Sequence, residues 1–353
     1  MIGLGGVAER IHLPACRQIP DLEVVAACDP SENRRQEIGS RFKIPKTFSS
    51  ATEMLAAAKP DLVIIGSPPD SHFELCRQSL EAGAHVLCEK PFMRTLEEAD
   101  SVIELARSRN LLLRVNNQYR YMTFFSESKR RLDNAEFGRA FCLQTWQQMF
   151  HPPSFENNWR STMPNYLLFE FGTHAIDLAC FFFGALPESV NAMIPRARPE
   201  FQSDVLVHLT LRFPGERIAV FTFNRISHAP ERYMEMRLDC EEASVRMSLG
   251  GLARAGVEWS SAAHRPIIRF GLFKGGEARV ERDGHSRKIA TALQPEFAAA
   301  TARHLRVFLA GMKEPIRDLS AAEQSREVLR VVFSGYESAA TNSVVSLNET
   351  MRK

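Results

Sequence analysis

Four short apolar runs set the pattern of the first third of the chain: Leu22 to Cys28, Leu62 to Ile65, His85 to Cys88 and Leu111 to Val115. In each, apolar residues stand side by side rather than alternating with polar ones, interrupted only by Glu23 and Arg114. A strand with one face in water alternates in polarity, whereas a strand covered on both faces does not. Cover on both faces is the condition of a parallel sheet flanked by helices. The segments between carry helix signals. Asp70 and Ser71 offer N-caps to a segment that ends at Gly83, a good C-cap position. Thr95-Leu96-Glu97-Glu98 reads as a capping box that opens another helix. This alternation predicts an α/β fold with a doubly wound parallel sheet over about residues 1–118.

The rhythm then changes. Val205, Val207, Leu209, Leu211 and Phe213 alternate with His208, Thr210 and Arg212, and Pro214-Gly215 leads into Ile218 to Asn224. Tyr233 to Cys240 alternates again, with Met234, Met236 and Leu238 on one face. Strands joined by short turns, with one polar face, predict an open, mainly antiparallel sheet in an α+β domain over residues 119–353. Ser320-Ala321-Ala322-Glu323 reads as the capping box of a late helix with Val328, Leu329, Val332, Phe333 and Tyr336 on its apolar stripe. Gly250 to Ala290 has no clear period, and no element is assigned there.

Composition narrows the function classes. At 353 residues the chain has room for roughly two domains. Its 44 Lys and Arg against 42 Asp and Glu leave a net charge of +2, which argues against a nucleic-acid binder. No apolar run approaches the length of a membrane span, and no secretory leader is readable. The seven cysteines (Cys16, Cys28, Cys76, Cys88, Cys142, Cys180 and Cys240) are scattered, with no C-x-x-C pair or zinc spacing. They read as reduced core residues of a cytoplasmic protein that holds no metal.

Gly3-Leu4-Gly5-Gly6-Val7-Ala8 fits the pattern G-x-G-x-x-G/A. The first glycine permits a tight turn, the second lets backbone approach a pyrophosphate, and the small residue at Ala8 lets helix pack on strand. The free N–H groups of the following helix then face the anion. Asp29, 24 residues after Gly5, stands where a carboxylate can hold a ribose 2′-hydroxyl and repel a 2′-phosphate. NAD is expected over NADP, with Arg34 and Arg35 close enough to leave NADP open. The pattern should follow a strand, yet only Met1 and Ile2 precede Gly3. The expectation is that the natural chain begins several residues earlier.

Three further segments are Ser67-Pro68-Pro69-Asp70-Ser71-His72, Glu89-Lys90-Pro91 and Glu170-Phe171-Gly172-Thr173-His174-Ala175-Ile176-Asp177. With the glycine loop, in this order and spacing, they resemble the Gfo/Idh/MocA oxidoreductases, the family of glucose–fructose oxidoreductase and inositol dehydrogenase. The tail Tyr336 to Leu347 also resembles the family's C-terminal end. The resemblance implies a Rossmann-type dinucleotide domain, an open-sheet domain that mediates homodimers or homotetramers, and NAD(P)-dependent oxidation or reduction at a sugar or polyol hydroxyl. It implies that Lys90 holds the reacting oxygen, that His174 is the acid/base, and that Glu170 stands where the family more often has aspartate. It implies that Ser67, Pro68, His72, Glu89, Lys90 and Asn117 line the cofactor with Gly3, Gly5, Gly6, Val7, Ala8 and Asp29. Arg120 and the pair Trp159-Arg160 match segments near the substrate. The glycine-rich run usual before the histidine motif is here Met163-Pro164-Asn165-Tyr166.

These residue types suit the task. An imidazole takes a hydroxyl proton near neutral pH, an ammonium stabilises the developing alkoxide, and a carboxylate orients the imidazole or binds a second hydroxyl. Glu170, His174 and Asp177 fall at helical spacing. His12, in the first helix, reads as structural. Two other readings use the same scaffold: a non-redox glycosidase-like enzyme that keeps NAD bound, and a catalytically silent sensor of dinucleotide or sugar.

Overall fold

The computed structural model describes the chain except residues 152–162, 164, 229–232, 251, 261–264, 274 and 349–353, and describes 252–260 and 267–273 by backbone pairing alone. The chain forms two units. One comprises Met1–Met122 with Phe297–Phe333, the other Thr123–Glu296 with Ser334–Lys353.

In the first unit, β1 (Ala27–Cys28) pairs in parallel with β2 (Thr47–Phe48). β3 (Leu62–Ile65), β4 (His85–Cys88) and β5 (Leu113–Val115) form a second parallel sheet. Ile2 joins the two, bridging Cys28 on one side and Ile65 on the other. The spatial order is therefore β2, β1, Ile2, β3, β4, β5, with the glycine turn at the centre. β3 and β4 occupy the predicted runs because both faces are covered. The run predicted as a strand over Leu22–Cys28 pairs only at its last two residues. Its first part lacks a strand neighbour on the side of Ile2, so no ladder forms there.

Helices Glu32–Phe42, Ala51–Ala58, His72–Glu81 and Leu96–Ser108 cover this sheet. Thr95 Oγ1 accepts from Glu98 N at 3.1 Å, and Glu98 Oε2 accepts from Arg94 N at 3.0 Å. Ser71 was expected to cap its helix but instead donates to Ser67 Oγ at 2.7 Å. A 3₁₀ turn over Pro69–Ser71 makes the entry in its place. The helix Phe297–Gly311 sends Ala302, Leu305 and Phe308 into the same core as Leu4, Leu13, Ile64 and Leu87.

The second unit is built on a sheet of nine strands in the order β15, β14, β11, β10, β6, β9, β8, β7, β16. They are β6 (Ala140–Gln148), β7 (Ser189–Met193), β8 (Leu206–Phe213), β9 (Arg217–Asn224), β10 (Tyr233–Cys240), β11 (Ser244–Leu249), β14 (Gly276–Arg282), β15 (His285–Ala292) and β16 (Val345–Ser346). β6 and β9 run parallel, and the other neighbouring pairs described in this sheet run antiparallel. Burial alternates along β8 and β10, so one face is covered. The other face leaves Trp146 51 % and Ile218 42 % exposed. The stretch without a readable period holds a separate hairpin, β12 (Leu252–Ser260) with β13 (Arg265–Phe273), then β14 and the start of the edge strand β15. Most of β15 is exposed or half-exposed, so burial imposes little alternation on it. The late helix spans Ser320–Thr341, and Ser320 is its first residue rather than its cap. Asp318 Oδ1 accepts from Ser320 N at 2.9 Å.

A π segment over Leu168–Gly172 runs into the helix Thr173–Phe183. Asp204, just before β8, caps it. Its carboxylate accepts from the N–H groups of Tyr166, Leu167 and Leu168 at 2.6, 2.8 and 3.2 Å, and from Tyr336 Oη at 2.9 Å. Burial and the Asp204 charge push the Tyr336 phenol well above its usual range, so it stays a donor. The fully buried Arg225 fixes the segment that carries Asp204. It donates to Asp204 O at 3.0 Å and Ser203 Oγ at 2.6 Å, and its guanidinium lies over the rings of Tyr166 and Phe201. Asp204→Ala strips these helix N–H groups of their partner. Urea unfolding should show a loss of about 2 kcal/mol or more.

Candidate functional site

The glycine turn is built by close backbone approach. Gly3 has φ +83°, and a Cβ there would lie 2.8 Å from Ser67 N, so only glycine fits. Around Gly5 the Cβ position opens on free space for 4 Å, which leaves the turn accessible to a ligand. Gly6 is exposed, Val7 half-buried and Ala8 buried in the first turn of the helix. Gly3 N donates to Cys28 O at 2.8 Å, so the turn is tied to the end of β1. Asp29 follows directly. Its Oδ2 accepts from Leu4 N at 2.7 Å and its Oδ1 from Ser31 N at 2.9 Å, which orients the carboxylate beside the turn.

The two arginines near Asp29 are committed elsewhere. Arg34 donates twice to Leu4 O and pairs with Glu9 at 3.0 Å and Glu37 at 2.9 Å. Arg35 donates to the carbonyls of Asp29 and Pro30 at 2.7 and 2.9 Å.

Ser67 and Pro68 follow β3 next to Gly3, Ser67 half-buried and Pro68 exposed. His72 is fully buried. Its Nδ1 faces the carbonyls of Pro91 and Phe92 at 2.9 and 3.1 Å, and its Nε2 faces Ser67 O at 3.0 Å. The ring therefore ties the Ser67 turn to the segment after Lys90, a holding role.

Glu89 is likewise buried, at the centre of a polar network. Its Oε1 accepts from His12 Nε2 at 2.8 Å and Asn116 Nδ2 at 2.7 Å, and its Oε2 accepts from Lys90 N at 3.1 Å. Burial opposes the charge, but the hydrogen bonds and charges of His12, Asn116 and Lys90 outweigh it and hold the carboxyl below its usual range. Asn116 reaches Thr301 Oγ1 at 3.3 Å and His304 Nδ1 at 3.2 Å. His304 stacks on Tyr121, and burial with the Arg114 and Arg120 charges lowers its pKa to about 3. It is neutral, and since Asn116 Nδ2 donates to Glu89, Asn116 Oδ1 accepts the His304 proton. Glu89 thus anchors the backbone from which Lys90 projects half-buried, while Asn117 Nδ2 donates to Ser325 Oγ at 3.1 Å and Arg120 is half-buried in the next turn.

In the second unit, Glu170, His174 and Asp177 are 3, 4 and 1 % exposed on the helix that Asp204 caps. Glu170 lies inside the π segment and His174 one residue beyond Thr173, which follows it. Such segments put an additional residue in one turn and recur at functional sites. Trp159 and Arg160 lie outside the described residues. Sequence reasoning missed Asn116, Thr301, His304, Asp204 and Tyr336. Asp204 had a legible signal, an acid opening an alternating strand, but its partner helix is 36 residues away in sequence. Among the described residues no group of acidic, histidine and cysteine side chains is arranged to hold a metal ion, and no helix is long and apolar enough to cross a membrane.

Comparison with known proteins shows the family and the fold. Residues 1–117 match the oxidoreductase family with NAD-binding Rossmann fold, and residues 125–246 match the GFO/IDH/MocA C-terminal domain. An uncharacterized oxidoreductase of Schizosaccharomyces pombe is 33 % identical over 203 residues, 56 % of this chain and 54 % of that protein. D-apiose dehydrogenase of Paraburkholderia graminis is 28 % identical over 183 residues, 51 % of this chain and 48 % of that protein. The matches thus span about half the length of these relatives. Over the whole chain the fold is that of an oxidoreductase from Agrobacterium radiobacter, solved with NAD⁺, L-tartaric acid and magnesium, at a TM-score of 0.81 and 17 % identity, covering 99 % of this chain and 98 % of that one. With its glycine turn, its Glu-Lys-Pro segment and both family domains in sequence, the chain belongs to the Gfo/Idh/MocA oxidoreductases.

Proposed function

We propose that this protein is an NAD-dependent dehydrogenase or reductase acting on a hydroxyl-bearing carbon of a sugar, inositol or sugar derivative. The observation that carries the choice of NAD is the Asp29 carboxylate, fixed by two backbone N–H groups beside the open glycine turn. It suits a ribose diol and repels a 2′-phosphate, and Arg34, which would favour that phosphate, is paired to Glu9 and Glu37. Gly3, Gly5, Gly6, Val7 and Ala8 would hold the pyrophosphate, with Ser67, Pro68, Lys90 and Asn117 along the cofactor and His72 and Glu89 supporting them. The substrate class is supported by the family and by the D-apiose dehydrogenase among the relatives.

NAD supplies the hydride acceptor when bound. The chain's residues supply the rest. The Lys90 ammonium stabilises negative charge developing on the substrate oxygen, and the backbone that carries it is set by Glu89. His174 takes the hydroxyl proton, with Glu170 orienting it or binding a second hydroxyl. Arg120 and Arg160 are proposed to contact substrate. The division of labour puts the dinucleotide on residues 1–118 and substrate selection on 119–353. The free thiols and the absence of a membrane-spanning helix among the described residues fit a cytoplasmic protein. The uncovered sheet face with Trp146 and Ile218 fits a homodimer or homotetramer.

Calorimetric titration should show NAD binding more tightly than NADP. Asp29→Ala should weaken NAD by about tenfold or more while sparing NADP. In a screen of sugars and polyols, net NADH should form one for one with product, and Lys90→Met should lower kcat/KM by about 10²–10³. Product without net NADH indicates the glycosidase-like cycle, and binding without turnover indicates a sensor. Light scattering should find an oligomer that Trp146→Arg dissociates.

A further inference from the structure

The polar network beneath Lys90 contains one group whose orientation its neighbours must choose. An asparagine amide keeps nearly the same shape when its oxygen and nitrogen exchange places, so only its partners decide which end points where. Asn116 Nδ2 donates to Glu89 Oε1 at 2.7 Å and to Thr301 Oγ1 at 3.3 Å, and Asn116 Oδ1 lies 3.2 Å from His304 Nδ1. His12 meets the same carboxylate with Nε2 at 2.8 Å. Its Nδ1 is buried with no hydrogen-bond partner among the described residues, so a proton there would have no acceptor. Hydrogen bonds therefore run one way, from His304 to Asn116, and from Asn116, His12 and the Lys90 N–H to Glu89. Exchange of the two ends of Asn116 would set its carbonyl against a carboxylate and its NH₂ against the His304 N–H. Each contact would then be left without a matched donor and acceptor.

His304 stands at a second junction as well. Its ring stacks on Tyr121 with centroids 4.6 Å apart and planes at 13°. The adjacent Arg303 donates to Tyr121 O at 2.6 Å, and Phe297, which opens the same helix, meets the Tyr119 ring at 6.1 Å. The helix Phe297–Gly311 thus holds the turn Gln118–Tyr121, which carries Arg120, and through His304 it also reaches the network beneath Lys90. The titratable groups facing His304 are Arg114, Arg120, Glu89 and His12, and burial with the two arginine charges keeps its ring neutral. We infer, on the reading of Lys90 as the group at the reacting oxygen, that His304 is a positioning residue: its Nδ1–H fixes the Asn116 amide, whose NH₂ then holds Glu89 as the anchor of the Lys90 backbone.

Nitrogen NMR of the wild-type chain with isotope-labelled histidine reads the tautomer directly. The His304 ring, assigned by its loss in His304→Gln, should carry its proton on Nδ1 from about pH 5 to about pH 8. A proton on Nε2, or titration in that range, overturns the inference. Hydrogen exchange then reads the anchor without turnover. His304→Phe keeps a ring against Tyr121 but brings no donor, and the Lys90 amide should exchange about tenfold faster while the helix Leu96–Ser108 is unchanged. His304→Gln returns an N–H toward Asn116 and should restore the slower exchange. Unchanged exchange at Lys90, an equal gain across the whole unit, or no recovery in the Gln variant each overturns the inference. In turnover, His304→Phe should lower kcat about tenfold with little change in the KM for NAD. With the amide no longer fixed, Glu89 takes up its proton at a higher pH, so the acid limb of kcat should move up in pH and return in His304→Gln. A loss of kcat with an unmoved pH profile marks a merely structural role and overturns the inference. A wild-type chain that turns over no sugar or polyol defeats the reading of Lys90 instead, and the tautomer and exchange measurements still decide whether His304 sets the Lys90 backbone.

Discussion

Three consecutive residues, Met1 to Gly3, hold the first unit's sheet together. Their backbone exchanges hydrogen bonds with Ala26 and Cys28 on one side and with Ile64 and Gly66 on the other. Everything nearby inherits its position from this junction. Gly3 turns against Ser67 because both follow strands that meet at Ile2. Asp29 reaches Leu4 N because β1 ends one residue before it, beside the turn. The open ground at Gly5 and the carboxylate next to it are thus two results of one set of backbone bonds.

A second constraint lies beneath Lys90. An ionised carboxylate in a protein interior is costly unless hydrogen bonds satisfy it. Glu89 receives them from His12, Asn116 and the Lys90 backbone, and Asn116 passes the contact on to Thr301 and His304. Removing one member leaves the others buried without a partner, so the network resists displacement as a whole. Two helix starts share a local device. A π segment runs through Ala8–His12 and another through Leu168–Gly172, and each is continued by an α-helix. In the second case the Asp204 carboxylate replaces the missing partners at the helix start and fixes the frame in which Glu170 and His174 sit.

Legibility followed burial and local chemistry. β3, β4 and β10 stand where their apolar patterns put them, because one or both of their faces are covered. Thr95 caps its helix through a hydroxyl three residues from its donor. Leu22–Val25 misled because an apolar run states which residues avoid water, not whether a neighbouring strand exists to pair with them. β15 escaped because an edge strand with most residues exposed or half-exposed carries little alternation. Ser71 misled because its hydroxyl found Ser67, a partner that only the folded turn supplies.

The sequence by itself determined the parallel and antiparallel halves, the glycine turn with its carboxylate, and the lysine and histidine segments. These depend on periodicity, backbone freedom and short spacing, all of which are local. Tertiary structure alone decided that His72 and Glu89 hold loops, that Asn116 and His304 complete a buried network, and that Asp204 and Tyr336 anchor the Glu170 helix. Each of those roles joins residues far apart in the chain, and a buried polar side chain acquires its role from the partner that the fold brings to it.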